Sequence, residues 1–117
     1  GLFKSDTGNF IAFVSNLNSK KLLNDFIKRF RNIVEFPSDG VAFPQIIPGI
    51  GWSDHQSFWK FNYPAIMVTD TAFFRYPYYH SQEDTPDKIC YDHMARVVLG
   101  LSKVIEDLAN GPSLPTL

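Results

Sequence analysis

Gly51–Asp87, GWSDHQSFWKFNYPAIMVTDTAFFRYPYYHSQEDTPD, decides how this chain is read. It holds two of the three histidines, both tryptophans and four of the five tyrosines. Ser53-Asp54-His55 followed by Phe58-Trp59 has the pattern of a short amphipathic helix with Ser53 as its N-cap. Tyr63-Pro64 should stop that helix, since proline fixes φ and turns the preceding residue away from helical geometry. Ala65-Ile66-Met67-Val68-Thr69 is an apolar run of strand length, suited to a strand covered on both faces. Ligands in open α/β sheets sit outside the carboxyl ends of strands. The loop from Asp70 to His80 is therefore where chemistry is expected first.

Working outward, Phe10–Val14 predicts a strand between Asn9 and Ser15-Asn16. Ser19 suits an N-cap for a helix over 20–31, where Leu22, Leu23, Phe26, Ile27 and Phe30 share one face. Lys28, Arg29 and Arg31 suit the negative end of its dipole as a solvated basic end. Ile33–Phe36 predicts a short strand stopped by Pro37, giving a βαβ unit whose crossover is right-handed if the strands are parallel. Pro37–Gly51, with three prolines and three glycines, predicts an irregular loop whose Ile46, Ile47 and Ile50 either line a pocket rim or, the more ordinary use, pack under the loop. In Asp92–Asn110, Met94, Val97, Val98, Leu101, Val104, Ile105 and Leu108 make a sustained helical stripe, stopped by Gly111-Pro112. Residues 4–8 are expected to be a polar turn and 113–117 a loose tail. The strands are thus expected near 10–14, 33–36 and 65–69, and the helices near 20–31, 54–60 and 91–109.

Composition excludes several classes. At 117 residues, 44% hydrophobic and 15% aromatic, the chain is globular and at most one domain. Eleven basic against twelve acidic residues leave no basic footprint for nucleic acid. No apolar run approaches the roughly 20 residues of a membrane span. Gly1-Leu2-Phe3-Lys4 lacks the apolar core of a signal peptide. One cysteine, Cys90, rules out an internal disulfide.

SDHQSFW, then YPAIMVTDTAFFR, then PYYHSQEDTPDKI together resemble the C-terminal part of the two-zinc aminopeptidases, a family that also contains the glutaminyl cyclases. The likeness covers most of residues 8–109. It implies an α/β fold: part of a three-layer α/β/α sandwich of the zinc-exopeptidase, phosphorylase/hydrolase-like kind, with residues 1–117 as a single domain fragment. It further implies a zinc-dependent hydrolysis of peptide bonds, with two ions in the complete parent domain. A histidine of this last loop is a zinc ligand in the family, and His80 matches it. Asp54 matches the aspartate of the family's active-site surroundings. Tyr79 matches an aromatic residue that faces substrate directly before the ligand. The remaining ligands belong to an earlier His-x-Asp pair, an adjacent glutamate pair whose first member is the catalytic base, and a further acidic residue. No histidine here is followed by x-Asp, and Glu35, Glu83 and Glu106 stand apart. The chain alone is therefore expected to lack the base and most ligands, to bind zinc weakly at best, and to be inactive.

Each site residue has two readings. His80 is a ligand through neutral imidazole, or a loop histidine packed among Tyr76, Tyr78 and Tyr79. Asp54 and His55 orient a catalytic group or hold a substrate amine, or they simply begin a helix. Arg75 binds a substrate carboxylate, with Tyr78 beside it, or makes a structural ion pair. Asp84 and Asp87 are expected to brace the histidine loop by accepting backbone N–H groups. Cys90 and His93, as C-x-x-H, are too few for a structural zinc site, and are expected to be packed and to cap or face solvent respectively. Two functions follow: part of a zinc exopeptidase acting on peptides, or a non-catalytic module binding peptides or proteins through the aromatic loop 73–80, with Trp52 and Trp59 as anchors. A half-domain should also associate, as a homo-oligomer or with its N-terminal half. Compartment is left open, with export the expectation for a parent protein.

Overall fold

The computed structural model describes residues 9–44, 46–47 and 50–111, with the backbone alone at 73 and 74. The turn expected at 4–8 and the tail expected at 113–117 lie outside the described residues. The order is β1 (Ile11–Asn16), a 3-10 turn at Leu17–Ser19, α1 (Lys20–Ile33), β2 (Ser38–Phe43), α2 (His55–Lys60), β3 (Ile66–Thr69), α3 (Ala72–Arg75), a 3-10 turn at Pro86–Lys88, and α4 (Tyr91–Asn110). The sheet order is β2-β1-β3, so β1, buried at all six residues, is the central strand.

β1 and β2 are parallel, from Ile11 opposite Ser38 to Asn16 opposite Phe43, and α1 is their crossover. β3 runs antiparallel to β1, with Thr69 opposite Ala12 and Ile66 opposite Ser15. Period-two alternation divides the side chains between two cores. Ile11 and Phe13 of β1 meet Leu23, Phe26, Ile27 and Phe30 of α1 and Val104 of α4, with Val97, Leu101 and Leu108 alongside. Phe13, Phe30 and Val104 are fully buried. The Phe13 ring meets Phe30 edge-on at 5.1 Å, a favoured aromatic geometry. On the other face Val14, Ile50 and Trp59 form a smaller core with Val41, Phe43, Ala65 and Met67. Helices thus lie on both faces of a mixed sheet. Among the described residues no helix is long and apolar enough to cross a membrane.

The second strand is displaced from its expected position. Ile33 ends α1, Val34 caps it by donating to the Phe30 carbonyl, and β2 begins only at Ser38. Phe36 is buried but serves the α1–α4 core from a connecting segment rather than from a ladder. The region expected to be loop contains β2, Gly40 included. A Cβ at Gly40 would stand 1.9 Å from Ile27 Cδ1, so glycine there lets α1 approach the strand, one of the recognised uses of glycine in a strand. Of the isoleucines after it, Ile50 is buried while Ile46 is 87% exposed. Arg31 is exposed in the last turn of α1, as expected of a basic helix end, and also makes a tie to the sheet. It donates from Nε to Ser38 Oγ at 2.9 Å and from Nη2 to the Ser38 carbonyl, joining α1 to the start of β2. Arg29 pairs with Asp25 at 2.9 Å one turn earlier.

Candidate functional site

β3 is positioned by side chains from outside the sheet. Ser19 sits at the N-cap position of α1 but makes no cap bond. Its Oγ accepts from the Ala65 N–H at 3.1 Å instead. Ser19 is itself held by its own N–H, which donates to Asn16 Oδ1 at 2.9 Å. The Trp59 indole N–H donates to the Ala65 carbonyl at 2.9 Å. Both backbone groups of the half-buried residue entering β3 are therefore satisfied by side chains. Trp59, 4% exposed, is a core residue and not a surface anchor, whereas Trp52 is 71% exposed.

Asp54, not Ser53, holds the N-cap position of α2, without a side-chain cap bond. The helix is stopped before Tyr63-Pro64. Asn62 adopts φ 62°, its N–H donates to the Trp59 carbonyl, and the Tyr63 N–H donates to the Phe58 carbonyl. This is a Schellman ending with asparagine in the left-handed position. His55 is 7% exposed. Its ring meets Trp59 edge-on at 4.5 Å, and Nε2 donates to the Ile50 carbonyl. Because a carbonyl only accepts, Nε2 carries the proton. His55 thus pins the loop after β2 to α2.

After β3 the chain turns through Asp70-Thr71. Asp70 Oδ1 accepts from the Ala72 N–H at 2.8 Å, and Thr71 takes φ 65° with its N–H on Thr69 Oγ1. α3 follows, then the aromatic turn. Because β3 is antiparallel, its carboxyl end lies at the amino end of β1, with Thr69 facing Ala12. The loop therefore does not stand at a common carboxyl edge of the sheet, and the topological reason for expecting ligands there does not hold in this mixed arrangement. What stands there is a groove of about 800 Å³ between β3, the loop and α4. Its walls include Phe10, Trp52, Asp70, Tyr76, Tyr79, Asp84, Lys88, Cys90 and His93.

Of the expected site residues, Tyr79 lines this groove; Asp54, His55, Arg75, Tyr78 and His80 stand outside its lining. His80 is exposed, adopts φ 55°, and stacks on the Tyr79 ring at 4.1 Å with 14° between planes. A left-handed conformation at a non-glycine residue is uncommon and costs local energy, which the surrounding turn must offset. Arg75 lies over the Phe10 ring at 4.5 Å, a cation–π contact that fastens α3 to the start of β1.

Asp84 does brace the loop, through a side chain rather than a backbone donor: the Tyr76 hydroxyl donates to Asp84 Oδ1 at 3.0 Å. Partial burial first, and then this acceptor and its charge, raise the Tyr76 pKa above the ordinary phenol value. Lys88 closes the turn, donating to the Glu83 carbonyl and to Thr85 Oγ1 and standing 4.6 Å from the Tyr78 ring centre. Cys90 is exposed and not packed. His93 neither caps α4 nor faces solvent: it is half-buried, edge-on to Phe36 at 5.5 Å, and its Nδ1 is buried without a hydrogen-bond partner among the described residues. The groove roles of Lys88 and His93 were not apparent from residue type. For His93 the signal was its i, i+4 relation to Val97 on the core stripe.

As a metal centre the donor set is incomplete. Among the described residues no group of three His, Cys, Asp or Glu side chains is placed to hold an ion. His80 offers one imidazole, where a catalytic zinc takes about three protein ligands.

Residues 5–105 match the model of peptidase family M28. YfbL of Escherichia coli (strain K12), itself uncharacterized, is 38% identical over 96 residues, which are 82% of this chain and 30% of that protein. Probable leucine aminopeptidases of Arthroderma benhamiae and Trichophyton verrucosum are each 34% identical over 87 residues, 71% of this chain and 23% of theirs. The chain thus spans under a third of the length of these relatives, and no solved structure gives a significant match. A family match over residues 5–105, carried by a mixed α/β sheet with helices on both faces, shows that this chain belongs to peptidase family M28, whose members are in general zinc-dependent.

Proposed function

We propose that the chain forms part of the catalytic domain of a zinc-dependent exopeptidase, most simply an aminopeptidase acting on peptides. The observation that carries this is the Tyr79–His80 pair. A stacked phenol and imidazole sit in the loop after β3, with Tyr79 among the residues that line the groove. His80 supplies one zinc ligand. The other ligands and the general base are supplied from beyond the described residues, among which no group of donors closes around an ion. Bound zinc in such enzymes activates water and polarises the peptide carbonyl. Tyr79, which lines the groove, is the candidate hydroxyl donor to a developing oxyanion. Tyr78 forms the back of the same turn, meeting Tyr76 at 5.4 Å. Asp54 heads α2 beside the groove residue Ser53 and is the acidic group for a substrate amine. His55 and Arg75 act through position: one pins the α2 loop, the other fastens α3 to Phe10.

The isolated chain is expected to be inactive on amino-acid anilides in excess zinc; turnover abolished by His80→Ala would show that it carries a complete site. The positive test installs the chain in place of the matched 87 residues of the Arthroderma benhamiae relative. Hydrolysis of a leucine anilide that is lost on chelation and on His80→Ala supports the reading. Hydrolysis indifferent to His80→Ala overturns the ligand role.

A further inference from the structure

We infer that the end of the molecule where β1 runs out and β3 begins is a docking surface for an anionic lipid layer. Leu17, Phe61 and Tyr63 enter the headgroup region, and Lys20, Lys21 and Lys60 face its phosphates and carboxylates. The topology gathers these residues from two distant stretches of sequence. β1 ends at Asn16, and β3 starts at Ile66, opposite Ser15. Ser19, just before α1, and Trp59, near the end of α2, both bond the backbone of Ala65. The first turn of α1, with Lys20 and Lys21, therefore stands at the same end of the sheet as Lys60, the last residue of α2, and the turn 61–63 that follows it.

Two properties set this end apart. The first is bare apolar surface. Leu17, Phe61 and Tyr63 are each more than half exposed, and none belongs to either core. The exposed Ile46 follows β2 at this end too, where Phe43 lies opposite Asn16. The second is charge of one sign. Lys20, Lys21 and Lys60 are exposed and pair with no acid among the described residues. No Asp or Glu occurs in 16–24, 40–53 or 55–69. In a chain of net charge -1, these lysines are a local separation of charge, and they select an anionic partner.

The side chains select the form of that partner. Aromatic rings among lysines match a bilayer interface, where rings lie at headgroup depth and lysine stems reach along apolar surface to charged heads. The apolar side chains stand on two turns rather than along one helix stripe, which suits a yielding lipid layer better than a fitted protein groove. The loop of Tyr79 and His80 leaves β3 from its other end, after Thr69, so this surface is separate from the candidate site. The inference does not depend on the peptidase reading.

The test is cosedimentation of the chain with vesicles of phosphatidylcholine alone and of phosphatidylcholine mixed with phosphatidylserine. Each lysine near an anionic surface strengthens binding several-fold, so the mixed vesicles should bind about a hundredfold more tightly at low salt, and less so as salt screens the charges. Lys20→Glu/Lys60→Glu should weaken binding to the mixed vesicles by about tenfold or more. Arg96→Glu/Lys103→Glu, the same change of net charge placed on α4, should not. Phe61→Ser, at an exposed position, should weaken binding to the mixed vesicles about tenfold and leave the melting temperature unchanged. Equal binding to both kinds of vesicle, equal loss from both charge reversals, or binding indifferent to Phe61→Ser overturns it. A chain that ignores vesicles and sediments as a dimer, becoming monomeric on Phe61→Ser, overturns it in favour of a second copy.

Discussion

The packed half of the molecule and the half that carries the candidate site are built on different terms. In the α1–β1–α4 core, Phe13, Phe30 and Val104 are sealed from water, and a Cβ on Gly100 of α4 would come 2.5 Å from Phe30. In the stretch from Asp70 to Cys90, order comes from short polar ties: Asp70 to Ala72, Tyr76 to Asp84, Lys88 to Glu83 and Thr85. Tyr78, Tyr79 and His80 are exposed. The first half is governed by close packing, so its residues are hard to replace. The second is held by hydrogen bonds of modest net worth, so its side chains are free to be chosen for chemistry.

That contrast can be broken by mutation. Phe30→Ala should cost about 3–5 kcal/mol in urea unfolding, the range for deleting a sealed aromatic ring. Trp59→Phe, which removes the indole donor from the half-buried Ala65 carbonyl, should cost about 1 kcal/mol, the net worth of a typical hydrogen bond. His80→Ala should change stability by no more than about 0.5 kcal/mol, as exposed positions do, whatever it does to activity in an assembled domain. A large loss at His80 would mean that the loop is part of the core after all.

The smallest expected effect concerns pH. Tyr76 titrates above the ordinary phenol value in the folded chain, so the folded state favours its protonated form. The associated stability is fully present below pH about 10 and is lost as pH rises through the raised folded value. Tyr76→Phe should flatten that alkaline slope, measured by denaturation between pH 9 and 11 against wild type; an unchanged slope would remove Tyr76 from the account.

Long periodic segments were readable from sequence. The stripe from Met94 to Leu108 placed α4, and the apolar run from Ala65 to Thr69 placed β3, each within a residue at either end. β2 was not readable, because the features that mark it, Pro37 and Gly40, are loop features everywhere except where a helix presses on a strand. The apolar Ile33–Phe36 looked like a strand because its burial comes from α4 and β1, partners that no local pattern can show. At the site, residue type pointed to His80 and Tyr79 only through resemblance to a family. Trp59 and His55, equally conspicuous in the sequence, proved to be internal fastenings, since burial and not composition separates an anchor from a core residue.

The double hold on Ala65 also bears on how the chain folds. β1, α1 and β2 are consecutive and make their contacts over short separations, whereas the Ser19–Ala65 bond closes 46 residues. Contacts of long sequence separation carry the larger closure entropy and tend to form late. The βαβ unit is therefore the natural folding nucleus, and β3, with the aromatic loop trailing from it, joins a surface already made. The loop's position is then expected to be decided late, when one serine and one tryptophan take hold of one alanine.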